Sequence, residues 1–229
     1  MLSPGRLSRG PAGSAEAEAL ARFPALAREA LAGGARGLLL REPALEDGAF
    51  LALATELRAL LGLEFPWAWL GVHDRVHLAA AVEADGVQLA GHSLGAAAAR
   101  EVVGDGVAIG ASTHEGDGAA RWAGADFALH APVFPPNSKH AGGEALGPEG
   151  LRAFCQSCPL PVWALGGVGP EVMAGLVGTG AAGAAAIGAV WGSDEVRGGR
   201  PTGCGVRGRV EALVAAGQPV FPAAAEARP

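Results

Sequence analysis

Gly166 and Gly167 follow four apolar residues, Val162 to Leu165, and precede Pro170 and Glu171, which open an uncharged segment rich in Ala and Gly. The apolar run reads as a buried strand. Pro suits the first helical position, where its missing N–H costs nothing, and an acid in the first turn suits the helix dipole. Strand, glycine pair and helix start leave backbone N–H groups uncovered by side chains, which is a receptor for phosphate. The same residues also suit a tight turn that needs glycine for its backbone angles alone. The local sequence leaves both readings open.

Other residues with chemical potential recur where apolar runs end: Arg41, His73 with Asp74, Gln88, Ser112 with His114, His130, Ser138 with Lys139, and Ile187 with Gly188. An arginine clamps phosphate oxygens through two N–H groups at once, whereas a lysine offers a movable point charge. Either cation alone reads more readily as a solvated surface residue. Their shared position at the ends of strands is what points to a phosphorylated substrate.

Two further motifs compete for attention. Gly91-His-Ser-Leu-Gly95 matches the G-x-S-x-G turn of serine hydrolases, which would make Ser93 a nucleophile. Such enzymes need an acid and then a late histidine, and none of the 89 residues after His140 is a histidine. The hydrolase is therefore kept only as an alternative. Cys155-Gln-Ser-Cys158 has redox spacing, but it precedes Pro159 at a helix end, where no dipole would stabilise a thiolate, so ordinary thiols are expected.

These residues need a scaffold. Helices are expected near Ala15–Leu31, Gly48–Leu61, Val76–Glu83, Leu94–Val103, Gly118–Ala123, Pro148–Gln156, Pro170–Val177 and Val206–Ala216. Strands are expected near Gly37–Arg41, Trp67–Val72, Gly86–Leu89, Ala108–Ala111, Phe127–Ala131, Val162–Leu165 and Ala184–Ile187. Three junctions repeat one pattern: Glu83-Ala-Asp-Gly-Val-Gln-Leu89, Ala123-Gly-Ala-Asp-Phe-Ala-Leu129 and Thr179-Gly-Ala-Ala-Gly-Ala-Ala185. Each ends a helix and feeds a strand, as in repeated βα units. The expected fold is α/β, a (β/α)8 TIM-type barrel whose first strand, at Met1-Leu2-Ser3-Pro4, is short or missing. In such barrels functional groups collect where strands end, and phosphate binds after the seventh and eighth strands. The strands beside a missing one would expose edges that a second copy could cover, so a homodimer is expected. The polar segment Pro135 to Gly147 has the character of an active-site loop.

Composition narrows the function classes. With 229 residues the chain suits a single domain, 1–229, able to bury roughly 70% of its unfolded surface. A net charge of −6 argues against nucleic acid and anionic membranes as partners. Val172 to Ser193 carries no charge, yet its glycines make it too weakly apolar to span a membrane. Met1 to Ser14 lacks the apolar core of a signal peptide, and a cytoplasmic protein is expected.

With these residues in view, the chain resembles the thiamine-phosphate synthases and their TenI-like relatives from about Gly37 to Gly192. The resemblance is carried by Leu40-Arg-Glu, His73-Asp-Arg-Val, Gly86-Val-Gln-Leu, Ile109-Gly-Ala-Ser-Thr-His114, Pro132-Val-Phe-Pro, Ser138-Lys139, Ala164-Leu-Gly-Gly-Val and Ala186-Ile-Gly, in that order. It implies a transferase of thiamine biosynthesis that joins a hydroxymethylpyrimidine diphosphate to a thiazole phosphate and releases pyrophosphate. It further implies that Arg41 and Lys139 hold the pyrophosphate, that Asp74 ligates Mg²⁺, and that Ser112 lies beside the reacting groups. Ser138, Gly167 and the Ile187–Gly188 turn would hold the thiazole phosphate.

Several positions depart from the family pattern. Pro43 replaces a lysine, His73 an asparagine, Ser93 the second Mg²⁺ carboxylate and Pro136 a threonine. His73-Asp-Arg and Val87-Gln-Leu are closer to the TenI branch, whose enzymes isomerise the thiazole phosphate. Their catalytic histidine falls at Pro132, and His130, two residues earlier on the same strand face, is the one candidate to substitute for it. A thiazole tautomerase and a non-catalytic binder of phosphorylated ligands are therefore the alternatives to the synthase.

Overall fold

The computed structural model describes residues 1–135, 144–192 and 204–221. Helices and parallel strands alternate: α1 (Ala15–Ala32), β1 (Gly37–Leu40), α2 (Asp47–Glu64), β2 (Trp69–His73), α3 (Val76–Ala79), β3 (Gly86–Leu89), α4 (Ala96–Val103) and β4 (Ala108–Thr113). A 3₁₀ turn at Ala119–Arg121 leads to β5 (Phe127–His130), α5 (Gly147–Ser157) and β6 (Val162–Ala164). A second 3₁₀ segment, Pro170–Leu176, precedes β7 (Gly183–Ala184), α6 (Gly188–Trp191) and α7 (Gly205–Gly217). Each strand pairs in parallel with the next, in the order β1 to β7.

The first strand of the barrel is reduced to one residue. Leu2 bridges Leu39 of β1, and the amides of Leu39 and Ser3 donate to Met1 and Leu39 carbonyls at 2.9 Å each. On its other side the Leu2 amide donates to Ala186 O at 3.1 Å, just past β7, and the Trp191 indole N–H donates to Leu2 O at 2.5 Å. The residues at 1–3 thus cover the edge of β1 and reach the chain just past β7 through one hydrogen bond, leaving the barrel incomplete. The edge left for a second copy is therefore that of β7 alone.

Local chemistry explains the repeated junctions. Asp85 and Asp126 each stand just before a strand, and each carboxylate accepts from an amide of the neighbouring strand, Leu70 N–H and Ile109 N–H, both at 2.7 Å. Each also pairs with an arginine from a preceding helix, Arg58 at 2.8 Å and Arg100 at 2.5 Å. In the third repeat Ala182 keeps only the backbone bond, to Val162 O at 2.8 Å.

Alternation along the strands sorts side chains into two cores. One lies between sheet and helices and contains Leu38, Leu40, Leu70, Val72, Val87, Ile109 and Ala128 with the buried faces of α1 and α2. The other fills the barrel: Leu2, Leu39, Phe127, Leu129 and Ala185, with Trp69, Trp163, Leu165 and Ile187 packed against them. Interior glycines make room for the large rings. A Cβ on Gly71 or Gly86 would meet the Trp69 ring within 2.4 Å, and one on Gly183 would meet Trp163 at 2.4 Å.

Some expected elements differ. Gly118–Ala123 and Pro170–Val177 form 3₁₀ rather than α-helix, the expected strand at Ala184–Ile187 is shorter and begins at Gly183, and the small helix α6 was not anticipated. Among the described residues no helix is long and apolar enough to cross a membrane. The uncharged stretch from Val172 is broken into three short elements instead.

Candidate functional site

A cavity of about 230 Å³ opens where the strands end, lined by Arg41, His73, Gln88, Ala90, His92, Ser112, His114, Ala131 and Leu165 over a floor of Leu2, Leu39 and Leu129. Strand alternation brings five of the sequence candidates, Arg41, His73, Gln88, Ser112 and His114, into one mouth. Arg41 is exposed, and its guanidinium forms no ion pair among the described residues. Its backbone N–H donates to Ser3 Oγ at 2.7 Å, which ties it to the closing residues of the barrel. Burial, reinforced by the charge of Arg41, holds the His73 imidazole down to about 4, so at neutral pH it is an uncharged donor and acceptor.

Gln88 is fully buried and its Nε2 donates to Ser112 Oγ at 2.9 Å. This leaves the Ser112 O–H free to donate elsewhere, and Ser112 lines the cavity. The Gln88 Oε1 has no partner among the described residues.

Asp74 sits just past β2 with φ of 62°. One carboxylate oxygen accepts from the Ser93 hydroxyl, and the other lies 3.2 Å from His92 Nε2. Ser93 Oγ also accepts from Ala90 N–H at 2.7 Å. The serine therefore serves a carboxylate and a turn, and among the described residues no histidine is hydrogen-bonded to its hydroxyl, so the hydrolase alternative finds no triad there. Among the described residues no group of three His, Cys, Asp or Glu forms a metal cluster. What is present is a carboxylate beside a hydroxyl, both hard oxygen donors. That pair suits Mg²⁺ only when a ligand's phosphates complete the shell, as Mg²⁺ commonly requires.

Across the mouth, Gly166 and Gly167 follow directly on Leu165 with φ of 91° and 62°. A Cβ on Gly166 would meet Pro132 Cα at 2.7 Å, and one on Gly167 would meet Phe134 O at 2.6 Å. Glycine is thus required by the turn itself. The N–H groups of both residues donate to no acceptor among the described residues, so the turn also presents bare amides. The two readings of this turn are compatible. The segment that follows is 3₁₀ rather than the expected α-helix, so no α-helix dipole is aimed at this turn. Ile187 and Gly188 start α6, and the space above Gly188 is open.

His130 is misplaced in the sequence reading. It is 2% exposed and points away from the barrel, stacked on Phe154 of α5 with ring centroids 3.7 Å apart and Nδ1 2.9 Å from Thr113 Oγ1. Leu129 and Ala131 take the inward positions on either side of it. It therefore does not reach the substrate cavity and cannot stand in for a histidine at Pro132. Ser138 and Lys139 lie outside the described residues. Burial pushes the Cys155 thiol up to about 11, which disfavours the thiolate that redox chemistry needs. Sequence reasoning missed His92, whose only signal was its place in the hydrolase-like motif, and the place of Leu2 in the cavity floor, although it named Met1-Leu2-Ser3-Pro4 as the short first strand.

These strand ends define a (β/α) barrel with Arg41 at a cavity mouth and a glycine turn directly after Leu165 of the same mouth. The comparisons then give its family: residues 14–190 match the family described as thiamine monophosphate synthase (TMP-TENI), and the chain belongs to that thiamine-phosphate synthase/TenI family. A relative from Geobacter sulfurreducens is 42% identical over 168 residues, covering 72% of this chain and 78% of the relative. The thiamine-phosphate synthase of Moorella thermoacetica is 36% identical over 173 residues, covering 75% and 81%. The solved structure of thiamine phosphate pyrophosphorylase from Pyrococcus furiosus superposes with a TM-score of 0.74 at 29% identity, covering 96% of each chain.

Proposed function

We propose that this chain is a thiamine-phosphate synthase that joins a hydroxymethylpyrimidine diphosphate to a thiazole phosphate. The observation that carries the reading is the pairing of two anion-receptive places on one rim. Arg41 has no ion pair among the described residues, and the Gly166 and Gly167 amides across the mouth donate to no acceptor among them. Two phosphorylated substrates need two such places. In the reaction the C–O bond to the diphosphate breaks, its electron pair leaves on pyrophosphate, and the thiazole nitrogen lone pair forms the new C–N bond.

Arg41 would clamp the pyrophosphate, and Lys139 would follow its growing charge, where such contacts lower the barrier. The Ser112 hydroxyl, held from behind by Gln88, donates into the cavity, and neutral His73 offers a hydrogen bond without adding charge. Asp74 and the Ser93 hydroxyl would hold Mg²⁺ arriving with the diphosphate, and the ion would offset phosphate charge. The reading carries with it a cytoplasmic homodimer; sedimentation at micromolar concentration tests the oligomer.

The direct test is a synthesis assay alongside calorimetric titration of thiazole phosphate and the pyrimidine diphosphate, with and without Mg²⁺. Thiamine phosphate formation, with diphosphate binding that depends on Mg²⁺, is expected. Lys139→Ala should lower the rate on the order of 100-fold, about 3 kcal/mol, and spare thiazole phosphate binding. A wild type that binds thiazole phosphate and makes no thiamine phosphate would overturn the synthase in favour of a tautomerase or binding protein.

A further inference from the structure

Arg121 ends the 3₁₀ turn after β4 and uses its guanidinium in an uncommon way. Nε donates to Ser112 O at 2.8 Å, and Nη2 donates to Ala90 O at 2.7 Å and to Leu89 O at 3.3 Å. It forms no ion pair among the described residues, whereas Arg58, Arg75, Arg100, Arg152 and Arg207 each hold a carboxylate. Trp122, next in sequence and buried, packs edge-on against Phe154 at 5.2 Å and anchors the turn that presents it. The planar fork therefore spans the carbonyls at the ends of two neighbouring strands, a task for which lysine lacks the geometry.

The two ends it joins both line the mouth, while Arg121 itself does not. Ser112 carries the hydroxyl that Gln88 orients. Ala90 begins the turn whose Ser93 reaches Asp74. A rigid path thus runs from Arg121 through Ala90 and Ser93 to the Asp74 carboxylate, and a second runs to Ser112.

We propose that Arg121 is a positioning residue for the diphosphate side of the mouth, setting the spacing between Ser112 and the Asp74–Ser93 pair without touching substrate. What it positions rests on the synthase reading. The glycine turns at 166–167 and 187–188 are not in its path, so the two sides of the mouth should respond differently.

Arg121→Gln and Arg121→Lys test this in the full chain. Amide hydrogen exchange should quicken at residues 90–93 and 112–114 in Arg121→Gln and stay unchanged at 166–167. The dissociation constant for inorganic pyrophosphate with Mg²⁺ should rise about 10-fold and kcat should fall on the order of 10- to 100-fold, with thiazole phosphate affinity unchanged. Arg121→Lys should restore part of both. Unchanged exchange in a folded variant would overturn the clamp. Faster exchange with kcat and pyrophosphate affinity unaltered, or equal losses at both sides of the mouth, would reduce Arg121 to general stabilisation. A wild type without synthesis would overturn the proposed function and the catalytic part of this inference, while the exchange measurement still decides the clamp on its own.

Discussion

His73 and His130 both end strands of one sheet, and burial pushes both imidazoles down to about 4. They nevertheless belong to different worlds. His73 faces the cavity beside Arg41 and Asp74, while His130 faces the helices, stacked on Phe154 and bonded to Thr113. A displaced pKa marks a desolvated group, and which face of the strand carries it decides whether the group can meet a substrate. The mouth and the outer layer are built by the same alternation and differ by a single residue of phase.

Exchanging stability for activity at the two histidines gives the sharpest contrast. His130→Ala removes a buried ring and its hydrogen bond, and unfolding in urea should show a loss of about 2–4 kcal/mol with kcat/KM unchanged. His73→Ala should do the reverse, lowering kcat/KM about 10-fold with stability altered by less than about 1 kcal/mol. Any large loss of activity in well-folded His130→Ala would break the contrast and restore this residue to the site.

Acid should reveal the outer histidine next. His130 is held neutral when folded, with its pKa depressed from about 6.5 to about 4, so the unfolded chain takes up its proton first. Its contribution is complete above pH 6.5 and is lost as pH falls from about 6.5 to 4, at most about 3 kcal/mol. His130→Gln should remove that part of the pH dependence in urea melts recorded at several pH values. An identical slope in both proteins would mean that another group sets it.

The smallest contrast concerns two glycines proposed to receive phosphate. Gly167→Ala places a Cβ against Phe134 O at a φ of 62°, so about 1–3 kcal/mol of stability should be lost along with phosphate affinity. Stability loss is therefore expected even from this small substitution, although the fold should survive it. Gly188→Ala enters open space and should cost less than about 0.5 kcal/mol. Thermal melts with and without thiazole phosphate read both effects.

The order of strands and the mouth residues Arg41, His73, Gln88 and Ser112 were legible because turns punctuate the sequence and strand ends follow from them. The phase of β5 was not. A parallel barrel buries both faces of its strands, so Phe127, Ala128, Leu129 and His130 are all buried and hydrophobicity carries no inward or outward mark. His92 was hidden by a motif that suggested another chemistry. Arg121 had no signal at all, because its acceptors are carbonyls, which every residue possesses.

The bridge at Leu2 places the first residues of the chain between β1 and the segment after β7, with the Met1 ammonium donating to Gly37 O at 2.8 Å. During synthesis that slot is complete only after Ala186 and Trp191 have been made. At roughly 5–20 residues per second the opening persists for about 10–40 s on the ribosome. Throughout that time β1 and whichever strand was made last each present a bare parallel edge, a template for pairing with another nascent chain. Birth order thus runs against assembly order here: residues 1–3 are translated long before the segment that seats them. A ribosome-stalled chain ending before Ala186 should be cut readily by protease near residues 1–3, and protection should appear once Trp191 has emerged.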